Sequence, residues 1–107
     1  MPGIDYIKII DALSKTLGLE AIDMKFHDRS TERLDVTLGG EAVPEKKFTL
    51  SLSNFFVELA FSKEYLRGKE LQKWTTRFEY ELEQAFMKNI GINVGEDASN
   101  IIVKVEV

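Results

Sequence analysis

The spacing of apolar residues changes its period three times along this chain, and these changes limit the possible folds more than any other feature of the sequence. Residues 4–17 place apolar side chains at helical spacing, and Gly18 follows as a natural stop. Between residues 22 and 52 the apolar period falls to two, which is typical of strands with one buried face. The helical period returns over residues 69–90. The sequence therefore predicts a helix, a block of strands and a second helix.

The strands are predicted from alternating apolar and polar residues. Residues 22–27 and 33–38 alternate on either side of a polar turn and predict a hairpin, and residues 47–52 repeat the pattern as a third strand. Residues 55–61 fit both a strand and a helix, and their β-branched and aromatic content favours a strand. The tail over residues 101–107 alternates again and predicts a final strand.

These elements, in the order α-β-β-β-(β)-α-β, predict an α+β fold. We expect a two-layer sandwich in which two helices pack on one face of an antiparallel sheet of four to five strands, while the other face is polar. A chain of 107 residues has the size of one domain, so residues 1–107 are predicted to form a single domain. The segments 39–45 and 95–100 are interpreted as loops within it.

Composition and charge exclude or disfavour several classes of function. The chain has no cysteine, which removes disulfides, thiolate nucleophiles and cysteine-ligated zinc, and which fits a reducing compartment. Its 14 basic and 18 acidic residues give a net charge of −4, which disfavours a general binder of nucleic acid or of anionic membranes. The sequence shows neither a signal-peptide pattern nor an apolar run of about 20 residues, so we expect a cytoplasmic protein with no membrane contact.

Few residues have the pattern of a catalytic or metal site. The single histidine, His27, begins a polar turn, and its neighbours in sequence do not predict the geometry of a catalytic triad. Asp23 and Asp35 would be cross-strand neighbours on the polar sheet face in one register, and acid-base catalysis would require one of them to be desolvated. The acidic segment 96–100 lacks the ligand spacing of a calcium loop and is interpreted as a turn. We therefore predict no catalytic residue, no cofactor and no metal site.

Charge is distributed unevenly along the second helix. Residues 63–77 carry five basic and two acidic residues, a net charge of +3, which leaves −7 for the rest of the chain. Three glutamates follow between residues 79 and 83. Two copies of this helix laid antiparallel would set the basic half of each against the acidic half of the other, which suits a two-fold homodimer. A basic protein partner would suit the acidic remainder of the chain.

Candidate partner-binding residues lie on two surfaces. On the second helix, the charged residues of the antiparallel pairing are Lys73, Arg77 and Glu81. Tyr80 and Met87 form an exposed apolar stripe on the same helix. On the sheet, Phe56 and Ile102 would form an apolar patch on the polar face if their strands lie close together.

The leading hypothesis is a non-enzymatic protein-binding module of the adaptor, chaperone, immunity or inhibitor type, which docks onto or masks another protein and forms a homodimer. An alternative is a nucleic-acid-associated protein that uses the basic and aromatic segment 63–77, although Trp74 falls on the core side of the helix. A second alternative is a small enzyme that uses Asp23, Glu32 and Asp35 on the polar sheet face. Binding to nucleic acid at low salt would favour the first alternative, and an enclosed pocket would favour the second.

Overall fold

The computed structural model describes residues 5–27, 32–53 and 56–106. Within those ranges it contains two helices and a six-stranded antiparallel sheet, so the predicted α+β class is confirmed. The elements in chain order are α1 (Tyr6–Leu17), β1 (Glu20–Phe26), β2 (Arg33–Gly40), β3 (Val43–Leu52), β4 (Val57–Ser62), α2 (Gly68–Phe86), β5 (Gly91–Glu96) and β6 (Asn100–Glu106). The strands lie in the order β1-β2-β3-β4-β6-β5, so β1 and β5 form the two edges of the sheet.

The prediction of four to five strands is wrong, because the described residues contain six. The additional strand is β5, which spans the predicted helix stop at Gly91, residues 92–94, to which no element is assigned from the sequence, and the start of the predicted loop. Its only apolar residues are Ile92 and Val94, which lie between two glycines, so the alternation is too short to identify a strand from the sequence. In the structure Ile92 lies opposite Val105 of β6, and Val94 lies opposite Val103.

The segment 55–61, which fits a strand or a helix in sequence, contains the strand β4. Residues 54 and 55 lie outside the described ranges. β4 alternates buried and half-buried residues and lies between β3 and β6 in the sheet. Its alternation is therefore that of a central strand with one face in the core.

The segment 39–45 is interpreted from the sequence as a loop, and that interpretation is wrong for most of its length. Gly39 and Gly40 end β2, and β3 begins after a two-residue turn. Ala42 in this turn has a φ of 59°, in the left-handed region that residues with a Cβ rarely adopt. A Cβ at Gly39 would lie 3.1 Å from the Cδ1 of Ile22, a tight contact that a small shift of the exposed Ile22 side chain would relieve.

α1 begins and ends where its sequence provides caps. The Asp5 carboxylate accepts hydrogen bonds from the backbone N–H groups of Ile7 and Lys8 at 3.0 and 3.3 Å. Gly18 follows the helix with a φ of 67°, a conformation that would strain a residue with a Cβ. The buried face of the helix consists of Ile9, Ile10, Ala12 and Leu13.

α2 ends at Phe86, earlier than the predicted residue 90, and Met87 follows it with a left-handed φ of 56°. Its buried face consists of Trp74, Phe78 and Leu82. The Trp74 ring stacks on Phe78 with the centroids 4.9 Å apart and meets the ring of Phe61 in β4 edge-on at 5.2 Å. Trp74 is therefore a core residue, as its place on the helix predicts.

The core lies between one face of the sheet and the two helices. Buried residues alternate along β2, β3, β4 and β6 and join those of α1 and α2 in one cluster. The strand residues of this cluster are Leu34, Val36, Leu38, Phe48, Leu50, Val57, Leu59, Phe61, Ile101, Val103 and Val105. β1 differs from the predicted layering, because it is exposed along its whole length and the helices do not bury it.

Candidate functional site

β1 is an edge strand whose apolar side chains are incompletely covered. All 7 of its residues are exposed, and among the described strands it pairs with β2 alone. Met24 and Phe26 are 48% and 44% exposed, and Ile7 in the first turn of α1 is 63% exposed. Single exposed hydrophobic residues are common, but several at one place are typical of a binding surface.

The register of β1 explains why these side chains are apolar. Met24 lies opposite Val36 and Phe26 lies opposite Leu34, and both β2 residues belong to the core. Residues directly opposite each other in an antiparallel pair project to the same side of the sheet, so Met24 and Phe26 project to the helix side. The apolar layer of the core thus continues onto β1, where α1 covers it only in part.

Tyr6 connects α1 to this end of β1. Its ring meets the ring of Phe26 edge-on, with the centroids 6.2 Å apart. Its hydroxyl donates to the backbone carbonyl of Glu32 at 3.3 Å. Burial raises the pKa of the Tyr6 hydroxyl, and the charge of Glu32 raises it further.

A groove of about 560 Å³ separates α1 from β1. Its apolar lining consists of Ile7, Ile10, Leu19, Ala21 and Met24. Its charged lining carries both signs and consists of Asp11, Lys15 and Glu20. We refer to β1, Ile7 and this groove together as the edge surface.

A β-bulge between Ala21 and Asp23 separates Ile22 from the groove. The Ile22 side chain lies over Gly39, which alternates with the core residue Leu38 and so belongs to the polar side of the sheet. Ala21 remains on the helix side, where it is the smallest apolar side chain lining the groove.

The free edge of β1 also offers backbone hydrogen-bonding groups. The N–H of His27 donates to the carbonyl of Arg33 at 2.9 Å and continues the ladder between β1 and β2. Successive residues of an antiparallel strand direct their backbone N–H and C=O groups to opposite sides of the strand. Lys25, two residues before His27, therefore also bonds to β2. The N–H and C=O groups of Met24 and Phe26 point away from β2. An edge of this kind is a template for another strand.

On the polar face of the sheet, Asp35 contacts two side chains. His27 Nε2 lies 2.5 Å from Asp35 Oδ2, and the hydroxyl of Thr49 donates to Asp35 Oδ1 at 2.9 Å. The register places Lys25, and not Asp23, opposite Asp35. Asp23 and Asp35 are therefore not direct cross-strand neighbours. Both carboxylate oxygens of Asp35 already have partners.

The predicted loop 95–100 is confirmed as a turn over residues 97–99 only, because Gly95 and Glu96 belong to β5 and Asn100 begins β6. Asp97 Oδ1 accepts hydrogen bonds from the N–H groups of Ser99 and Asn100 at 2.8 and 2.7 Å. These hydrogen bonds lower the pKa of Asp97. Among the described residues, no group of three or more histidine, aspartate or glutamate side chains is placed to hold a metal ion. Residues 28–31, which follow the histidine, lie outside the described ranges.

The structure brings four of the predicted residues together on α2, where Lys73, Arg77 and Tyr80 are exposed on one face and the Glu81 side chain is largely buried. Arg77 Nη2 lies 2.9 Å from Glu81 Oε1, and the Arg77 guanidinium lies 5.8 Å from the centre of the Tyr80 ring. Lys73 precedes Arg77 by about one helical turn. A groove of about 680 Å³ runs along this face and is lined by Lys69, Gln72, Lys73, Thr76, Arg77 and Tyr80.

The other predicted residues do not join this face or form a common patch. Met87 is 91% exposed, but it lies past the end of α2 and so shares no helical stripe with Tyr80. Ile102 is half-buried on the polar side of β6. The ammonium of Lys104 lies 5.1 Å from the centre of the Phe56 ring, so a charged group interrupts the apolar patch expected from Phe56 and Ile102.

Sequence patterning does not identify the edge surface. Met24 and Phe26 alternate with charged residues as the residues of a buried strand do, and a period of two does not distinguish a central strand from an edge strand. One signal is available in the order of the elements. The first strand of a series of hairpins lies at an edge unless a later strand pairs with it.

No helix among the described residues is long and apolar enough to cross a membrane. Comparison of the chain with protein-family models, with curated proteins and with solved structures finds no match. The edge surface and the exposed face of α2 are therefore the two candidate binding surfaces among the described residues.

Proposed function

We propose that the chain is a non-enzymatic protein-binding module, of the adaptor, chaperone, immunity or inhibitor type, that forms a protein–protein interface through the edge surface. The observation that supports this proposal is the exposure of Ile7, Met24 and Phe26 beside a strand edge with which no described strand pairs. Apolar side chains and free backbone groups at one place suit an added strand, because the backbone supplies affinity and the side chains supply specificity.

The apolar side chains alone do not account for a stable complex. Complete burial of a large apolar side chain stabilises by roughly 1.5–3 kcal/mol, and about half of this is still available from each of Met24 and Phe26. With Ile7 included, the three offer roughly 3 kcal/mol, whereas association itself costs at least about 4 kcal/mol. A partner must therefore also pair with the backbone of β1 and fill the groove.

The expectation that the partner is a basic protein stays a prediction. The edge surface carries both signs, with Asp23 and Lys25 on β1 and Asp11 and Lys15 on α1, so it does not strongly select a basic or an acidic protein. The preference for a basic partner rests on the net charge of −7 outside residues 63–77.

Photo-crosslinking in the cells that produce the protein tests this proposal. A photoreactive phenylalanine analogue at position 24 should form adducts with protein, because Met24 lies at the centre of the edge surface. Position 94 is the matched control, because Val94 is 38% exposed on the opposite edge strand and projects to the same side of the sheet.

The captured protein must then bind the purified chain and must bind the variant Met24→Lys at least about tenfold more weakly, a loss of about 1.4 kcal/mol. The variant Val94→Lys should bind it as the unsubstituted chain does. The absence of protein adducts at position 24, or equal adducts at both positions, would contradict the proposal.

The groove on α2 supports a second candidate function, the binding of nucleic acid. Lys69, Lys73 and Arg77 lie about one turn apart on the exposed face, as phosphate contacts require. Trp74 is buried, so Tyr80 is the aromatic side chain that this groove exposes. The arrangement favours contacts to phosphates over stacking of bases.

Fluorescence anisotropy with short single- and double-stranded oligonucleotides tests the second candidate. If three cations contact phosphates, affinity should fall with salt on logarithmic axes with a slope of about −2 to −3. The double variant Lys73→Glu/Arg77→Glu should lose binding, and Lys46→Glu outside the groove should retain it. No detectable binding of the unsubstituted chain at about 50 mM salt would exclude this function.

A further inference from the structure

We propose that the partner of the edge surface is a second copy of this chain, with the two β1 strands paired antiparallel about a two-fold axis at Met24. This inference rests on the proposed function and specifies the partner of the same surface. The two sheets would join at β1 into one continuous antiparallel sheet, and the edge of each would be covered by the other.

The backbone of β1 suits this pairing. Because His27 bonds toward β2 through Arg33, the N–H and C=O groups of Met24 point to the free edge. Two Met24 residues that face each other across a two-fold axis would therefore form a hydrogen-bonded pair, in which each N–H donates to the carbonyl of the other. The regular ladder would run from Asp23 to Lys25 of each copy, because the bulge at Ile22 breaks the alternation beyond Asp23.

The charges of β1 select this register. With Met24 on the axis, Asp23 of each copy lies opposite Lys25 of the other copy, which is favourable at both places. Moving the axis to Asp23 places two aspartates opposite each other, and moving it to Lys25 places two lysines opposite each other. An axis halfway between two of these residues would pair a residue on the helix side of one sheet with a residue on the polar side of the other. Of the axes at the middle of β1, Met24 is the one that pairs opposite charges.

The apolar side chains match in the same register. The two Met24 side chains meet at the axis on the helix side. Phe26 of one copy lies at the level of the bulge of the other, where the small side chain of Ala21 lines the groove. Ile7 borders the same groove, so its exposed side chain faces the incoming copy.

This dimer differs from the antiparallel pairing of α2 that the charge pattern suggests. Arg77 already forms an ion pair with Glu81 of its own helix, and a pairing of two α2 helices would have to replace it. The exposed face of α2 also carries a single large apolar group in its groove, Tyr80. The edge surface offers more apolar area together with a free backbone edge.

Exchange of the two charges tests the register. Asp23→Lys places two lysines opposite each other at both contacts, and Lys25→Asp places two aspartates opposite each other. Each variant alone should dimerise about tenfold more weakly than the unsubstituted chain. An equimolar mixture of the two should regain the dimer, because the mixed pair again has opposite charges at both contacts. Sedimentation velocity gives the masses, and circular dichroism shows that each variant is folded.

A disulfide tests the position of the axis. Residues of a hydrogen-bonded antiparallel pair have Cα atoms about 5.5 Å apart, which lies within the range of a disulfide. The chain has no other cysteine, so Met24→Cys should oxidise to a covalent dimer. Val94→Cys on the opposite edge should remain monomeric under the same oxidant.

The outcomes separate this inference from the proposed function. An unsubstituted chain that is monomeric at its highest soluble concentration overturns the inference, and capture of a different protein at position 24 would still support the proposed function. If the chain dimerises and neither Asp23→Lys nor Lys25→Asp weakens the dimer, the β1 interface is overturned. If the double variant Lys73→Glu/Arg77→Glu then abolishes that dimer, the interface lies on α2. No protein adduct at position 24 would overturn the proposed function as well.

Discussion

Single residues in this chain determine where several elements begin and end. The carboxylates of Asp5 and Asp97 accept backbone N–H groups at the start of α1 and in the turn before β6. Gly18 and Met87 take left-handed conformations after the two helices. Each of these roles can be removed by one substitution at the surface, so each can be tested without disturbing the core.

We expect Asp5→Ala to lower the free energy of unfolding by about 1 kcal/mol. The N–H groups of Ile7 and Lys8 would lose the acceptor that now lies within hydrogen-bonding distance. Asp5→Ser is the matched control, because serine keeps a capping oxygen and should cost much less. Urea unfolding followed by circular dichroism measures both, and equal losses in the two variants would refute the capping role.

Asp97 makes the stability of the chain depend on pH in a defined direction. Hydrogen bonds from Ser99 and Asn100 hold the pKa of Asp97 below its usual value in the folded chain. Such a carboxylate contributes stability above its unfolded pKa, and the contribution is lost as pH falls through its folded pKa. The difference in melting temperature between the unsubstituted chain and Asp97→Ala should therefore be largest near neutral pH and shrink in acid.

NMR titration of the Asp97 carboxyl measures the same effect directly. Its pKa should lie below that of aspartate in an unfolded peptide. In the comparison of melting temperatures, the control for the change in net charge made by Asp97→Ala is the variant Glu41→Gln, which removes an exposed carboxyl in another turn. An Asp97 pKa at or above the unfolded value would show that the turn does not stabilise the ionised side chain.

The strands of the sheet differ in how strongly the fold depends on them. β3 and β4 lie in the middle of the sheet with alternate residues in the core, whereas β1 and β5 lie at its edges and are largely exposed. Stabilisation scales with the apolar area removed from water, so most of it comes from the central strands. The edge strands are correspondingly available for binding.

We expect Leu50→Ala in β3 to cost about 3 kcal/mol of stability and Met24→Ala in β1 to cost less than about 1 kcal/mol. Leu50 is fully buried, whereas about half of Met24 is already in water. Urea unfolding of dilute protein measures both values without a contribution from association. Comparable losses would mean that the β1 side chain is covered within the monomer.

The turn between β2 and β3 offers a stabilising substitution. Ala42 has a φ of 59°, which costs roughly 1 kcal/mol for a residue with a Cβ. Glycine removes that strain but adds entropy to the unfolded chain, so Ala42→Gly should raise the free energy of unfolding by about 0.5 kcal/mol. Ala98→Gly, in a turn where the alanine has no positive φ, should lower it. Thermal unfolding distinguishes the two signs.

On the scale of the whole molecule, one buried cluster joins both helices to the inner four strands. A single core of this kind gives a single cooperative transition. A single domain over residues 1–107 therefore predicts one calorimetric peak with an unfolding enthalpy of about 60–80 kcal/mol. Two peaks would contradict that prediction.

Association through β1 adds a second property to this transition. The melting temperature should rise with protein concentration, because a second copy binds the folded state alone. Asp23→Lys should remove most of that dependence while retaining one peak. A melting temperature that is independent of concentration in the unsubstituted chain would show that the folded chain does not self-associate.

The sequence by itself determined the local structure of this protein. The helical spacing of residues 4–17 and 69–90 and the alternation of three strands predicted the α+β class, and Trp74 was correctly assigned to the core from its place on the helix. These features depend on neighbours two to four residues apart, so their signal lies within each segment. β5 escapes prediction because its alternation is short, with Ile92 and Val94 as its only apolar residues between two glycines.

The tertiary structure alone decided which apolar residues are covered. Met24 and Val36 occupy strands with the same alternating pattern and lie opposite each other, yet Val36 is buried and Met24 is half exposed. The difference arises because β2 has a neighbour on each side, whereas β1 lies at the edge, where α1 covers it only in part. The order of strands and the reach of the helices depend on contacts between distant parts of the chain. A period of two carries no information about them.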